Sequence, residues 1–362
     1  MNDEVRVIIN GKEFKGWEGV TLEMAVDHIA DALSITAPWD PARAELRAAF
    51  KGYNEVQLFI DDDLYLTGRL DKATPDLSKD DRKITVECRS LTGQLADCSH
   101  DGDGEFSGLA LSTICRRVCK PFGVTVRADN DTAAIPEARA EYGQGAADFL
   151  NSLAAPRNIL LNCSYKGELV LTWGGALMNR PPVARLVEGQ YPVEAVGGSR
   201  DWTKLFSVYK AATQFAGVPD IIDVARDANV RIYRPRCEAL PDAAASPEDQ
   251  AALDALDESA GKKTKDYRPR TAARLRAQAI AEACPVSVSL TGWRRPDGKR
   301  WAERQVVTLM APSAMIYEEI AFVVSSCRLS MDSSGGRSTS LSLVLPETYS
   351  GTYPKDAAKL WA

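Results

Sequence analysis

Short runs of alternating apolar and polar residues, separated by turn residues, are the feature that most constrains the fold of this chain. The stretch EVRVIINGKEFKGW alternates in this way around Asn10-Gly11, a dipeptide typical of the two-residue turn of a β-hairpin. The stretch NEVQLFIDDDLYLTGRLDKA repeats the order of strand, acidic turn and strand. Several short strands at this spacing are typical of a barrel or a sandwich. We therefore expect residues 1–98 to form a β domain.

Three stretches of the chain have apolar residues at helical spacing, and in the first of them a strand is equally possible. The stretch VTLEMAVDHIADALSITA allows an amphipathic helix or a long strand, and its end favours a strand. The stretches GLALSTICRRVCKPFG and GAADFLNSLAAPRN both have the spacing of helices, and the first ends in proline and glycine as a helix end does. The stretch ILLNCSYKGELVLTW is typical of a hairpin that turns at Lys166-Gly167. Residues 99–175 are therefore predicted to form a small α/β domain.

The second half of the chain returns to strands around an insertion of different composition. Residues 236–284 are rich in alanine, acidic first and basic later, and predict two helices around the linker Gly-Lys-Lys-Thr-Lys. Residues 176–235 together with 285–350 are predicted to form a second β domain, and residues 351–362 a loosely held tail. Strands are expected in CPVSVSLTGW, RQVVTLMA, EIAFVVSSCRLSMD and STSLSLVLPE. The fold class predicted for the whole chain is α+β, mainly β.

Charge and hydropathy exclude two classes of partner. The formal net charge is −6, whereas a protein that binds nucleic acid over a broad surface is expected to be basic. The opening MNDEVRVIING has acids where an export signal has basic and then apolar residues. No stretch approaches the ~20 apolar residues of a membrane-spanning helix. We therefore expect a protein made in the cytoplasm, without membrane insertion.

No recognised catalytic motif surrounds either histidine. His28 lies in the amphipathic stretch and His100 in a polar loop, and neither has a nucleophile elbow, a zinc-protease motif or a phosphate-binding loop beside it. Cys115 and Cys119 are one helical turn apart and could supply two thiolates to a metal. The alternative is a pair of core thiols in a protein folded in a reducing compartment, which we favour. The sequence thus predicts no enzyme, no cofactor and no metal site.

The acidic run Asp61-Asp62-Asp63 lies at a predicted hairpin turn. It could hold a metal or an acid/base pair. Neighbouring side chains at a hairpin tip point in different directions, however, so two of these carboxylates are not expected to act on the same substrate bond. A solvated turn is the simpler expectation.

A second unusual stretch, LTGWRRPDGKRWAERQVV, combines two tryptophans with a turn and a basic tip. Pro296-Asp297-Gly298 predicts a tight turn, so the tryptophans on either side are expected to approach each other across two strands. Such a tip could contact a neighbouring subunit, since arginine and tryptophan are typical interface anchors. The alternatives are a solvated tip with one tryptophan in the core, or a local nucleic-acid-binding site. The candidate interface residues are Trp293, Arg294, Arg295, Lys299, Arg300 and Trp301.

Several stretches, in their order along the chain, resemble the central baseplate hub proteins of Mu-like contractile-tailed phages. Those proteins are similar in turn to the hub of T-even phages and to the amino-terminal part of type VI secretion spike proteins. The stretches are VIINGKEFKGWEGV, LYLTGRLDKATPD, ITVECRSLTGQLADCS, VRIYRPRCEAL, RPRTAARLRAQAIAEA and the segment that holds Trp293 and Trp301.

The resemblance implies a homotrimer in which each subunit carries two β-barrel domains similar to the tail tube protein. It implies a virion protein of the tail baseplate that joins the tail tube protein to a trimeric spike protein, contacts other baseplate proteins and lets DNA pass through a channel. In that setting Trp17 is a further interface candidate, and Asp61, Asp62 and Asp63 are candidates for lining the channel. Acidic walls suit DNA transit because basic walls would bind its phosphates.

Two other functions compete with the structural hub. The first is a tail-associated peptidoglycan-degrading enzyme, which predicts a carboxylate pair ~5–9.5 Å apart in a groove, one of them with a raised pKa. The second is the spike-protein module of a secretion system. The sequence offers no isolated carboxylate pair for the first.

Overall fold

The computed structural model describes residues 3–78, 82–102, 104–177, 180–215, 218–239, 272–334, 336–349, 354–356 and 359. Strands dominate and short helices are few, which confirms the mainly β, α+β class that the sequence predicts. Most of the predicted helical insertion and most of the predicted tail lie outside the described residues.

The strands of the described residues are numbered in chain order: β1 (Val5–Ile9), β2 (Lys12–Phe14), β3 (Gly19–Ala25), β4 (Ala32–Pro38), β5 (Glu55–Ile60), β6 (Asp63–Leu77), β7 (Arg82–Ser90), β8 (Glu105–Leu109), β9 (Val126–Ala128), β10 (Ile135–Arg139), β11 (Ile159–Cys163), β12 (Leu169–Trp173), β13 (Ala184–Val187), β14 (Val193–Gly198), β15 (Val208–Phe215), β16 (Val218–Arg226), β17 (Pro235–Ala239), β18 (Val286–Thr291), β19 (Val306–Ala311), β20 (Ile316–Met331) and β21 (Arg337–Val344). The α-helices are α1 (Ala44–Ala49), α2 (Gly93–Asp97), α3 (Leu111–Cys119), α4 (Ala146–Ala154) and α5 (Ala272–Ala283).

One sheet contains the described strands of the first predicted β domain and most of those of the second. Among the described residues thirteen strands join it, in the order β14-β18-β21-β20-β3-β4-β7-β6-β5-β1-β2, with β19 added to β20 and β13 to β19. The two halves meet where β3 pairs antiparallel with β20, with Met24 opposite Cys327. The long strand β20 makes this possible, since its first part pairs with β19 and its second part with β3.

The resemblance implied two barrels, and the strand ladder differs from that expectation. Across the described strands the ladder runs from β14 at one edge to β2 at the other without closing into a ring. The physical reason is the β3–β20 pairing, which places each half of the sheet edge to edge with the other and uses the backbone groups that a separate barrel would use internally.

Local patterns in the first domain fold as predicted. Asn10 and Gly11 both have positive φ, 49° and 76°, as the two-residue hairpin turn between β1 and β2 requires. The ambiguous stretch VTLEMAVDHIADALSITA forms the antiparallel strands β3 and β4, so its helical alternative is wrong. Alternate residues of both strands are buried, which a strand can satisfy and a helix at that period cannot.

The small α/β domain also follows the sequence closely. Helices α3 and α4 form where the spacing predicts them and pack around one apolar cluster. The hairpin of β11 and β12 turns at Lys166-Gly167, and Gly167 has a φ of 79°.

Residues around the predicted insertion form a unit of their own. Strands β15, β16 and β17 make a separate three-stranded sheet, and α5 packs on it through Leu275 and Ala279. The alanine-rich basic stretch is therefore helical as predicted, whereas residues 236–239, expected to begin the insertion as helix, belong to strand β17. Pairing with β15 explains the difference, because the Ser207 amide donates to the Arg234 carbonyl oxygen at 2.8 Å and fixes the parallel register.

No helix in the described part of the chain is long and apolar enough to span a membrane.

Candidate assembly interface and interdomain cavity

The basic tip folds as the predicted turn. The Arg295 amide donates to the Lys299 carbonyl oxygen at 2.8 Å, and the Gly298 amide donates to the Arg295 carbonyl oxygen at 2.9 Å. Gly298 has a φ of 80°, which explains why glycine ends the turn. Outside the turn Arg294 and Arg300 form a single antiparallel bridge.

The two tryptophans of this stretch lie in the core, not at the surface. Trp293 is 1% exposed and Trp301 0% exposed, and both belong to the main apolar cluster. The Trp293 indole donates to the Ser330 carbonyl oxygen at 2.9 Å. Their proposed role as interface anchors is therefore corrected: the hydrophobic surface of these rings is already buried by the chain itself. The alternative expectation placed one tryptophan in the core, whereas the structure places both there.

Arg295 is a second correction among the interface candidates. Its side chain is almost completely buried and pairs with Asp297 of its own turn at 2.7 Å. Burial of an arginine is tolerated when a carboxylate compensates it, and here the turn supplies that carboxylate. Arg295 thus stabilises the turn and offers little surface to a partner.

The basic tip and the acidic turn, two separate predictions, contact each other. The Arg294 guanidinium lies 2.8 Å from an Asp3 carboxylate oxygen, 3.0 Å from Asp61 and 3.7 Å from Asp63. Its side chain is mostly buried, and hydrogen bonding to Asp3 raises the pKa of the Arg294 guanidinium above its ordinary value. The cluster therefore fastens the second β domain to the edge of the first. Nothing in the sequence places these residues together.

The three aspartates differ in how available they are. Asp61 is held by Arg294, and its carbonyl oxygen accepts a hydrogen bond from Arg6 at 2.7 Å. Asp62 has a fully exposed side chain that lies 3.3 Å from Arg6. Asp63 is more than half exposed. Of the channel-lining candidates, Asp62 and Asp63 keep carboxylates at the surface, whereas Asp61 is committed to a contact inside the chain.

The remaining interface candidates, Lys299, Arg300 and Trp17, differ in how far they are exposed to solvent. Lys299 is exposed at the tip of the turn. Arg300 is half-buried, with its guanidinium 5.3 Å from the centre of the Tyr65 ring and 5.0 Å from that of Tyr165. Trp17 is partly buried against the main apolar cluster. Lys299 is thus the member of the basic tip that is most available to a partner.

Substitution of Arg294 by alanine is expected to lower the free energy of unfolding by about 2–3 kcal/mol, because it leaves the carboxylates of Asp3 and Asp61 without their partner. Chemical denaturation of the purified chain measures this difference. The matched control is Asp62→Ala, whose carboxylate is fully exposed, so its loss is expected to leave the free energy of unfolding almost unchanged. Equal effects of the two substitutions would contradict the fastening role of Arg294.

A polar cavity of about 200 Å³ lies where the three parts of the chain meet. The first β domain contributes Asp31 and Tyr65, and the small α/β domain contributes Cys163 and Tyr165. The segment that follows the basic tip, residues 300–304, forms another wall. Sequence reasoning missed this site because its residues are far apart along the chain.

Two carboxylates line the cavity. Asp31 is 8% exposed, and burial raises its pKa to about 8, with the nearby charge of Glu303 adding to the shift. The Cys163 thiol and the Ala25 amide hydrogen-bond to the Asp31 carboxyl and oppose that shift. Burial raises the pKa of Cys163 in turn, so this thiol stays protonated.

This pair meets one criterion of the peptidoglycan-degrading alternative but not its geometry. A glycosidase needs two carboxylates on either side of a sugar ring in a groove. Asp31 is almost completely buried at a cavity of about 200 Å³, which is too small for a segment of a sugar chain. The raised pKa of Asp31 therefore does not support that alternative.

Cys115 and Cys119, the candidate thiolates, both lie in the core of the small domain. Burial raises the pKa of both thiols, that of Cys119 to about 12, so neither is available as a thiolate near neutral pH. Across the described residues no three histidine, cysteine, aspartate or glutamate side chains gather as a metal site.

Comparison with known proteins adds relatives along most of the chain. Residues 4–90 match the family described as Mu phage baseplate assembly protein GpP-like, N-terminal, and residues 92–173 match baseplate hub protein gp44-like, second domain. The chain is 24% identical to the baseplate hub protein gp44 of Escherichia phage Mu, over 96% of this chain and 89% of that protein.

Two solved structures share the fold at low sequence identity. The 43 kDa tail protein of prophage MuSo2 from Shewanella oneidensis has a TM-score of 0.75 and 23% identity, over 96% of this chain and 99% of that one. A component of the Escherichia coli type VI secretion system has a TM-score of 0.53 and 9% identity, over 93% of this chain and 76% of that one. These matches at residues 4–90 and 92–173, together with the similarity to the baseplate hub protein of phage Mu, confirm the resemblance drawn from the sequence.

Proposed function

We propose that this chain is the central hub of a contractile tail baseplate, a structural protein of the virion. The observation that carries the proposal is the similarity to the baseplate hub protein of phage Mu, which extends over nearly the whole chain and not over one domain alone. The proposed hub is assembled in the cytoplasm of the bacterial host, works without catalysis and contacts other baseplate proteins.

The proposed hub is a homotrimer that joins the tail tube protein to a trimeric spike protein. The single sheet supports this arrangement, because the β3–β20 pairing holds two β units side by side in each subunit. Three subunits would then present six such units to a six-fold tube while keeping three-fold symmetry towards the spike. The likeness to a secretion-system component is a likeness of fold, so a spike module remains the second candidate.

The proposed channel for DNA has Asp62 and Asp63 at its wall. Their exposed carboxylates at the β5–β6 turn support this, since acidic walls do not bind phosphate and do not hold the DNA in transit. Lys299, exposed on the neighbouring turn, is the proposed contact to an acidic surface of an adjoining protein.

Light scattering of the purified chain across protein and salt concentrations is expected to give a mass of about 118 kDa, three times the 39.4 kDa of one chain. Electron cryomicroscopy of the same particle is expected to show a central opening with residues 61–63 facing it. A monomer throughout both series would contradict the trimer. A trimer with residues 61–63 on its outer rim would contradict the channel role alone.

A further inference from the structure

Three buried hydrogen-bond donors around the interdomain cavity have no acceptor within the described chain. They are the Tyr65 hydroxyl, the Trp301 indole nitrogen and the Arg304 Nε. The three residues are 2%, 0% and 9% exposed. A buried donor without an acceptor costs about 1–3 kcal/mol, so three around one cavity are unusual in a stable fold.

The Arg304 guanidinium is held in place on one side, but its Nε still lacks a hydrogen-bond acceptor. Its Nη1 donates to the Thr172 hydroxyl at 3.1 Å, so the guanidinium is held in place. The Glu303 carboxylate lies 3.7 Å from Nε, which is too far for a hydrogen bond. Burial lowers the pKa of Arg304, as expected for a guanidinium without full compensation.

Positive charge exceeds negative charge around this cavity. Arg127, Arg180 and Arg300 line it together with Arg304. Arg127 is compensated by Asp129 at 3.0 Å. In the described part of the chain, Arg180 and Arg300 donate to the carbonyl oxygens of Arg304 and Leu64, and neither lies within ion-pair distance of a carboxylate.

The cavity carboxylates do not balance this charge. The lining holds two carboxyl groups, Asp31 and Glu303, against four arginines, and burial raises the pKa of Asp31, which opposes its ionisation. The cavity therefore combines donors that lack acceptors with cations that lack counterions. Water could accept the hydrogen bonds but would not neutralise the charge.

Solvent reaches the cavity from one side. Tyr165, Arg127 and Arg180 are exposed, while Asp31, Tyr65, Trp301 and Arg304 form the buried end. A volume of about 200 Å³ is large enough for a small ion and too small for a segment of polypeptide or nucleic acid.

We propose that this cavity binds a small tetrahedral oxyanion of the phosphate class, which accepts hydrogen bonds from Tyr65, Trp301 and Arg304 and pairs with the guanidinium of Arg180. Phosphate only accepts at its charged oxygens, and arginine matches its geometry with two parallel donors. The ion would link the first β domain, through Tyr65, to the second, through Arg180, Trp301 and Arg304, and so fix their relative orientation.

Isothermal titration of the full chain, first dialysed into chloride buffer, tests the site with inorganic phosphate at millimolar concentrations. Phosphate and sulfate are expected to bind one per chain and to raise the melting temperature, whereas acetate is expected to bind at least about tenfold more weakly because it lacks the tetrahedral set of oxygens. Absence of binding by phosphate, or equal binding by acetate, would overturn the proposal.

Two variants locate the site. Arg180→Met removes an exposed cation, and Tyr65→Phe removes one buried donor while keeping the ring; each is expected to weaken phosphate at least about fivefold. Arg231→Met, an exposed arginine elsewhere on the chain, is the matched control and is expected to leave the affinity unchanged.

Thermal unfolding without phosphate confirms that each variant is folded. Unchanged affinity in both Arg180→Met and Tyr65→Phe would place the ion elsewhere and overturn the site. Because the cavity lies within one chain, these results do not depend on trimer formation.

Discussion

Trp293→Ala is expected to lower the free energy of unfolding by about 3–5 kcal/mol, the usual cost of removing a large aromatic side chain from a packed core. The ring is almost completely buried, and the guanidinium of Arg337 lies 5.5 Å from its centre. The substitution also leaves the Ser330 carbonyl oxygen without its donor. Chemical denaturation followed by tryptophan fluorescence and circular dichroism measures the loss.

This experiment separates a core tryptophan from an interface anchor. Lys299→Ala, at the exposed tip of the same turn, is the matched control and is expected to change stability by less than about 0.5 kcal/mol. If Trp293 acted mainly as an anchor for a partner, the isolated chain would tolerate its loss and the trimer would dissociate. A small effect of Trp293→Ala on the unfolding of the monomeric chain would contradict the buried position.

Asp31→Asn is expected to stabilise the chain increasingly as the pH rises from about 4 to 8. Burial raises the pKa of Asp31 from 3.8 to about 8, so the folded chain holds this proton more tightly than the unfolded chain does. Stability therefore falls with rising pH across that window, because ionisation favours the unfolded state. Asparagine keeps an acceptor for Cys163 and the Ala25 amide and removes the charge.

The gain of Asp31→Asn is expected to reach about 2–4 kcal/mol at pH 8, since one pKa unit corresponds to about 1.4 kcal/mol and relaxation of the site recovers part of the cost. At pH 4 the two proteins are expected to be nearly equal in stability. Melting temperatures of both proteins over this pH range, with exposed Asp62→Asn as the control, measure the effect. A difference that stays constant with pH would contradict the raised pKa.

The sequence predicted those parts of the fold in which neighbours along the chain fix the backbone. The turn at Asn10-Gly11 forms because both residues tolerate positive φ, and the turn at Pro296-Asp297-Gly298 forms for a related reason. Helices α3 and α4 and the strands of the main sheet follow the period of their apolar residues. The family resemblance depended on such local stretches in their order.

The sequence was less informative where a long-range contact decides the outcome. The helical alternative for VTLEMAVDHIADALSITA was excluded by pairing of β3 with β20 and β4 with β7. Residues 236–239 became strand because β15 offered an edge to pair with. Backbone hydrogen bonds between strands depend on partners far away in the chain, which a local pattern does not contain.

The candidate site shows the same division. By itself the sequence determined that a basic turn flanked by tryptophans and an acidic turn exist, because their residue types and spacing are local. Only the tertiary structure decided that Trp293 and Trp301 are core residues, that Arg294 is paired with Asp3 and Asp61, and that Asp31 and Glu303 line one cavity. Burial and charge compensation are properties of the assembled environment, since desolvation and Coulomb energies depend on what surrounds a side chain in space.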